Sequence, residues 1–263
     1  MTEERRFWGT TSPPFYLVTI GVAPQGSLDG VRLTNVFVAD IDSTQPRLDE
    51  SVQGLFAHEL MHEWIGATLR PASSVPEGEL YWFTEGFDDF LAHRLMRAVG
   101  LLSDMGYVRA VNRDLMDHAL SAGRDSSWDA LRRNGALDGE PYARGELIAL
   151  TLNAEIARAS RGDITLDSLL RQIARRPPAQ LTDGFTAELL YRELGTTLGA
   201  DTVRAIVERM LAGGPIALPN DALGPCMTPA MVERTRRLPA GATVTVQQWS
   251  LSPACSDSTK FRH

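Results

Sequence analysis

The chain has 263 residues, 43% of them hydrophobic, 22% charged and 7% aromatic, a globular composition that excludes a disordered, collagenous or low-complexity protein. Lys and Arg number 26 against 33 Asp and Glu, a formal charge of −7, which argues against nucleic acid or an anionic membrane surface as the main partner. No apolar run reaches the length of a membrane span, and the charged start, Met1 to Arg6, leads into Phe7-Trp-Gly and not into the apolar core of an export signal.

The first third reads as β structure. Residues 15–22 and 31–39 are rich in aromatic and β-branched residues, and Pro24-Gln-Gly-Ser-Leu-Asp-Gly between them is turn chemistry. The two segments are expected to be an antiparallel hairpin or neighbours. The period then changes. Leu48, Val52, Leu55 and Phe56 fall at helical spacing, with Gly66 as a stop, and a loop rich in Pro, Ser and Gly covers 67–80. One helix is predicted over 81–99, with Phe83, Phe87, Phe90, Leu91 and Leu95 as its apolar stripe. Further helices are predicted at about 103–120, 142–160, 164–175, 184–196 and 200–212, separated by Gly, Pro or polar clusters. Residues 215–225 are Pro-rich and irregular. Residues 232–237 and 242–249 form a candidate hairpin turning at Leu-Pro-Ala-Gly. Strands, then helices, then a small β tail define an α+β protein, divided as 1–214 and a C-terminal extension, 215–263. The two cysteines, Cys226 and Cys255, are too far apart for a redox pair. A bridge between them would imply an oxidising compartment, periplasmic or exterior, whereas the signal-less start points to the cytoplasm.

The chemistry gathers at His58-Glu-Leu-Met-His, inside the first predicted helix. Two His four residues apart lie about 40° apart around a helix and leave the same face, so both imidazoles can bind one metal. Glu59 stands beside that face, placed to act as a general base without being a ligand. Neutral imidazole suits Zn²⁺. A catalytic zinc usually has three protein ligands, and Glu85, beyond the loop and near the start of the next helix, is the candidate third. Asp89, one turn on, could accept the remaining N–H of a ligand His and fix its tautomer. Asp88 beside it could equally be the buried carboxylate.

Taken together, His58-Glu-Leu-Met-His, Trp82-Phe-Thr-Glu-Gly-Phe-Asp-Asp-Phe, Asp125-Ser-Ser-Trp-Asp-Ala-Leu and Tyr142-Ala-Arg-Gly-Glu-Leu-Ile-Ala-Leu resemble the glycyl aminopeptidase family of gluzincin zinc metallopeptidases, over about residues 7–215. The resemblance implies a thermolysin-like catalytic domain: a small twisted sheet, the metal helix, then a helical subdomain. It implies one zinc per chain held by His58, His62 and Glu85, with Glu59 as base and Asp89 behind the ligands. Tyr142 would be the donor to the tetrahedral oxyanion, a role that suits a phenol O–H. The implied reaction is peptide hydrolysis, removing small N-terminal residues such as Gly or Ala, with a peptide or protein as partner. An endopeptidase of the same mechanism, or a non-catalytic module keeping the metal helix, are the alternatives.

The sequence departs from the family in places. The β domain that usually precedes this region and the PDZ domain that often follows are missing. Family members often carry Gly-Leu-Glu-His on the edge strand near the substrate amine. Here Ser27-Leu-Asp-Gly stands there, so Asp29 is the candidate amine-binding carboxylate. Among lesser candidates, His93 is read as solvated or behind the ligands, His118 as a surface residue, and Trp128 and Trp249 as packing residues. Arg171, Arg175 and Arg176 are read as complementing a helix C-terminus.

Overall fold

A computed structural model describes residues 1–10, 16–24, 28–33, 35–42, 44, 49–176, 183–235 and 243–256. A short helix, α1 (Thr2–Trp8), opens the chain where no element was predicted. It is held by aromatic packing: Trp8 is buried and stacks on Trp64 with ring centroids 5.8 Å apart. Three strands follow, β1 (Leu17–Ala23), β2 (Leu28–Leu33) and β3 (Val36–Asp42), in the spatial order β1-β3-β2.

This sheet corrects the expected hairpin. β1 and β3 are neighbours, but parallel, pairing Leu17 with Val36 and Ala23 with Asp42. The single strand expected over 31–39 is two strands, β2 and β3, paired antiparallel from Leu33–Val36 to Leu28–Ile41. The break falls at Asn35, which has φ 57°. Asn tolerates this left-handed conformation because its short polar side chain bonds locally. The central strand β3 turns Phe37 and Ala39 inward, fully buried, and Phe37 meets Phe56 edge-to-face at 5.2 Å. That contact seats the sheet on the next helix.

Helix α2 (Glu50–Met61) is capped by Asp49, whose carboxylate accepts from the N–H groups of Ser51 and Val52 at 3.1 Å each, the arrangement that satisfies orphan donors at a helix start. The helix ends at Met61 with His62 as its C-cap, four residues before Gly66, the expected stop, which has φ 105°. The helix predicted over 81–99 is broken into α3 (Tyr81–Thr84) and α4 (Gly86–Ala98), with Glu85 at the joint. Then come α5 (Asp104–Leu120), α6 (Trp128–Arg133), α7 (Glu140–Ala159), α8 (Leu166–Ala174), α9 (Ala187–Leu198) and α10 (Ala200–Leu211). α7 is buried along most of its length and contacts α3, α4, α5, α8, α9 and α10. Most of its buried residues are apolar, but Glu140, Arg144 and Glu146 are buried with them, which charged groups tolerate only when they are paired.

Where α7 crosses α3 and α4, two glycines meet. A Cβ on Gly86 would fall well under 3.0 Å from the Gly145 backbone, and one on Gly145 would run into the Trp82 carbonyl. Only Gly lets the helices approach this closely.

The C-terminal hairpin is longer than expected: β4 (Met227–Thr235) pairs with β5 (Thr243–Leu251). The predicted Leu-Pro-Ala-Gly turn and the Pro177-Pro178 pair lie outside the described residues. A four-residue helix, α11 (Pro253–Ser256), ends the described chain. Val244, Val246 and Trp249 are buried in the same core as the helices, and Asn112 on α5 bonds the Trp249 backbone twice, at 2.9 and 2.7 Å. Gln247 is buried and clamps the N–H and carbonyl of Leu218 at 2.8 and 2.9 Å. Cys226 and Cys255 form a disulfide. Trp128 and Trp249 are core residues, as expected.

His118 is not on the surface. It is 2% exposed, with Nδ1 3.0 Å from Glu140 and Nε2 3.0 Å from the Gly214 carbonyl. The fully buried Arg144 donates to Glu140 at 2.7 Å and to the carbonyls of Ser126 and Gly123 at 3.1 Å each. The polar neighbours Asp114 and Asp117 suggested a solvated face. The partners that bury this His lie on other elements.

Candidate metal centre

Helix α2 delivers three of the predicted residues together. His58 and Glu59 are buried near its end, and His62 is its C-cap. The imidazoles stand edge-to-face with centroids 4.6 Å apart. Glu85 arrives from the α3–α4 joint, and its Oε2 lies 3.5 Å from His58 Nε2 and 3.4 Å from His62 Nε2. A tetrahedral ion with bonds of about 2.0–2.1 Å places its ligand atoms roughly 3.3 Å apart. Two nitrogens and one carboxylate oxygen therefore fit a zinc ion on this side of the rings.

The opposite edges of the rings face other groups. His58 Nδ1 is 2.7 Å from Asp89 Oδ1, and His62 Nδ1 is 3.2 Å from the Ile65 carbonyl. Asp88 is fully buried, and neither of its oxygens has a hydrogen-bond partner among the described residues. They lie 3.3 Å from His58 Nδ1 and 3.4 Å from His62 Nδ1. A second ligand set is thus conceivable, since His58, His62 and Asp88 bring ligand atoms within 4.8 Å of one another. The Nε2 side suits a metal better, because hydrogen bonds already occupy both Nδ1 atoms. Of the two adjacent carboxylates, Asp88 is the more deeply buried and Asp89 makes the short bond to His58.

The electrostatics agree with a cation site. Burial opposes charge on His58, but Asp89 and Asp88 outweigh it and raise its pKa well above the ordinary value. Burial likewise opposes charge on His62, yet Asp88 and Glu85 lift it to about 9. Burial works against ionisation of Glu85, and the two imidazoles more than reverse this, holding it below the usual carboxylate range. Burial pushes Asp88 well up against the pull of His62 and His58. Glu85 and Asp89, both held below the usual carboxylate range, stand beside the two imidazoles and favour positive charge there.

Glu59 and Tyr142 open onto one cavity of about 630 Å³ beside the ligands. The Tyr142 ring lies 5.7 Å from the His58 ring. Burial first, and then Glu85, raise its hydroxyl to about 12, so at neutral pH it is a phenol able to donate. Tyr142 starts one turn before Gly145, and Glu85 immediately precedes Gly86. The glycine contact therefore registers the tyrosine against the metal side of the cleft. Neither glycine was singled out from the sequence, although both sit inside the quoted blocks. Gly30 on β2 is a third close approach: a Cβ there would lie 2.7 Å from Glu59 Oε1. Asp29 is in β2 opposite Asp40, and its side chain lies outside the described residues. His93, read as solvated or behind the ligands, is not freely solvated: its Nδ1 is 3.0 Å from the buried Glu146.

The fold is similar to an aminopeptidase N family protein from Idiomarina loihiensis, with a TM-score of 0.69 at 18% identity, over 87% of this chain and 44% of that one. It is also similar to a mutant of an M1 zinc metallopeptidase from Deinococcus radiodurans bound to a Tyr-Ser-Ala substrate, with a TM-score of 0.55 at 17% identity, over 82% and 44%. The architecture is thus the mixed α+β arrangement of such peptidases, and the chain spans less than half the length of both. The M61 glycyl aminopeptidase family model matches residues 51–134, the segment from the metal helix through α6. The chain resembles that family, as the sequence blocks indicated. No curated protein matches the sequence. Among the described residues, no helix is long and apolar enough to cross a membrane.

Proposed function

We propose that the protein is a zinc-dependent aminopeptidase of thermolysin-like, gluzincin type, releasing small N-terminal residues such as Gly or Ala from peptides. One observation carries the reading: the Nε2 atoms of His58 and His62 meet the same Glu85 oxygen at 3.5 and 3.4 Å, with Glu59 and Tyr142 lining the adjoining cavity. One zinc per chain would be held by His58, His62 and Glu85, where it supplies Lewis-acid polarisation of a carbonyl and lowers the pKa of water. Glu59 takes the proton from the attacking water and returns it to the leaving amine. Tyr142 donates its hydroxyl to the developing oxyanion. Asp89 accepts from His58 Nδ1 and so fixes the tautomer that leaves Nε2 free. Asp29, on the strand whose next residue touches Glu59, is the proposed partner of the substrate amine. The Cys226–Cys255 bond supports an oxidising compartment.

The test is cleavage of a peptide library by zinc-loaded protein, with free and N-acetylated amino termini in parallel. Cleavage confined to free amines, one zinc by elemental analysis, and a loss of roughly 10²–10⁴-fold in Glu59→Gln with zinc retained are expected. Equal cleavage of acetylated peptides would make it an endopeptidase. Near-normal turnover in Glu59→Gln would overturn the mechanism. Tyr142→Phe should lower kcat more than it raises KM, because its bond forms to the oxyanion and not to the ground state.

A further inference from the structure

We propose that Arg113 is a carboxylate-binding residue on the wall of this cleft, seating the C-terminal carboxylate of a short peptide or an acidic substrate side chain. The proposal deepens the peptidase reading and rests on it for the kind of ligand. Helix α5 presents Gly106, Arg109, Ala110 and Arg113 to the cavity that also holds His58, Glu59 and Tyr142. The spacing of these four residues is that of one helical face. The two arginines are not equivalent. Arg109 is occupied, its guanidinium 2.9 Å from Glu50 on the facing helix α2. Arg113, one turn further along the helix, is exposed and makes no hydrogen bond or ion pair among the described residues.

Its neighbours explain why it stays available. Asp114, next in sequence, is buried and hydrogen-bonded to Glu146, and Asp117, one turn on, feels the Arg113 charge without forming an ion pair with it. Arg113 also lines an adjoining cavity of about 600 Å³, which it shares with Tyr142 and Asp89. It therefore stands on the ridge where two hollows meet beside the proposed oxyanion donor. An unpaired guanidinium offers five N–H donors and no acceptor. Its planar fork matches a carboxylate through two parallel bonds. The surrounding groups that face the reaction, Glu59 and Asp89, are acidic and would repel a substrate anion. Arg113 reverses the sign at one point, so a peptide with a positive amino end and a negative carboxyl end can be held in one orientation.

The test is calorimetric binding of three probes, Gly-Ala, Gly-Ala amide and Gly-Asp amide, to metal-free and to zinc-loaded protein. Metal-free protein reads binding without turnover. Gly-Ala or Gly-Asp amide should bind about tenfold more tightly than Gly-Ala amide, the effect of a hydrogen bond to a charged group. Arg113→Gln should abolish that preference with unchanged thermal unfolding, and Arg113→Lys should restore part of it. Preference for Gly-Ala alone assigns the terminal carboxylate as the source, and preference for Gly-Asp amide alone assigns the side chain. Equal binding of all three probes, no measurable binding of either acid, or a preference that survives Arg113→Gln would overturn the proposal. If the Arg113-dependent preference holds while zinc-loaded protein cleaves none of the probes or other peptides, the peptidase reading fails and the carboxylate site stands.

Discussion

Two buried imidazole–carboxylate clusters lie on neighbouring helices of this protein, and they are built for different ends. In one, His58 Nδ1 meets Asp89 at 2.7 Å. In the other, His118 Nδ1 meets Glu140 at 3.0 Å. The difference lies in the second ring nitrogen and in the counter-charge. His118 spends its Nε2 on the Gly214 carbonyl, and Arg144 supplies positive charge to Glu140. Every strong partner is covalently part of the fold, and the cluster staples α5 and α7 to two loops. His58 instead turns Nε2 toward Glu85, alongside His62, with no arginine or lysine among the described partners. A histidine–carboxylate pair by itself does not mark an active site. What sets the proposed metal site apart is an excess of carboxylate, with the second ring nitrogen turned to Glu85 beside an open cavity.

The comparison breaks most cleanly on metal content. His58→Ala or His62→Ala should remove zinc altogether, from one per chain to none by elemental analysis. His118→Ala should keep the full zinc content and lose only stability. If His118→Ala also emptied the site, the two clusters would be one functional unit. The next largest effect belongs to the staple. Arg144→Met leaves the buried Glu140 with the His118 imidazole alone, and losing one member of a buried pair costs roughly 3–5 kcal/mol. Chemical denaturation should show it. A loss under about 1 kcal/mol would mean that Arg144 fills space and little else. The smallest effect lies between the clusters. Gly145→Ala forces α7 away from Trp82 and Gly86, an overpacking cost of about 1–3 kcal/mol. Because Glu85 adjoins the crossing, zinc affinity should fall along with stability. Stability falling alone would uncouple the crossing from the metal site.

Three consecutive residues of α7 show why part of this was legible in the sequence and part was not. Arg144 reaches the staple, Gly145 touches the α3–α4 crossing, and Glu146 holds His93. Nothing local distinguishes these roles, because each is defined by a partner remote in sequence. The helix carrying the proposed ligands was legible because both histidines and the proposed base lie within five residues, where helix geometry alone fixes their face. Glu85 followed from the sequence block around it, but the helix break that presents it did not. The apolar stripe from Phe83 to Leu95 continues across the joint and hides it. β1 and β3 were found, but β2 was read partly as turn and partly as the start of β3, and the parallel direction of the β1–β3 pair was not foreseen. Period-two patterning marks a strand without choosing its neighbour or direction, and the break at Asn35 needed a backbone conformation that composition only weakly announces. His118 was misplaced for the same reason as the sheet: its surroundings are made by Glu140 and Gly214, not by its own helix.

The pair of hydrogen bonds between Asn112 and the Trp249 backbone gives the C-terminal hairpin a mechanical part in the cleft. Asn112 adjoins Arg113 on α5, and the same helix walls the cavity beside the metal ligands. The hairpin works as a splint behind that wall, with the Cys226–Cys255 link tying off its loose end. Trimming the chain at residue 214 would leave α5 unbraced from behind while every proposed catalytic residue remained in place.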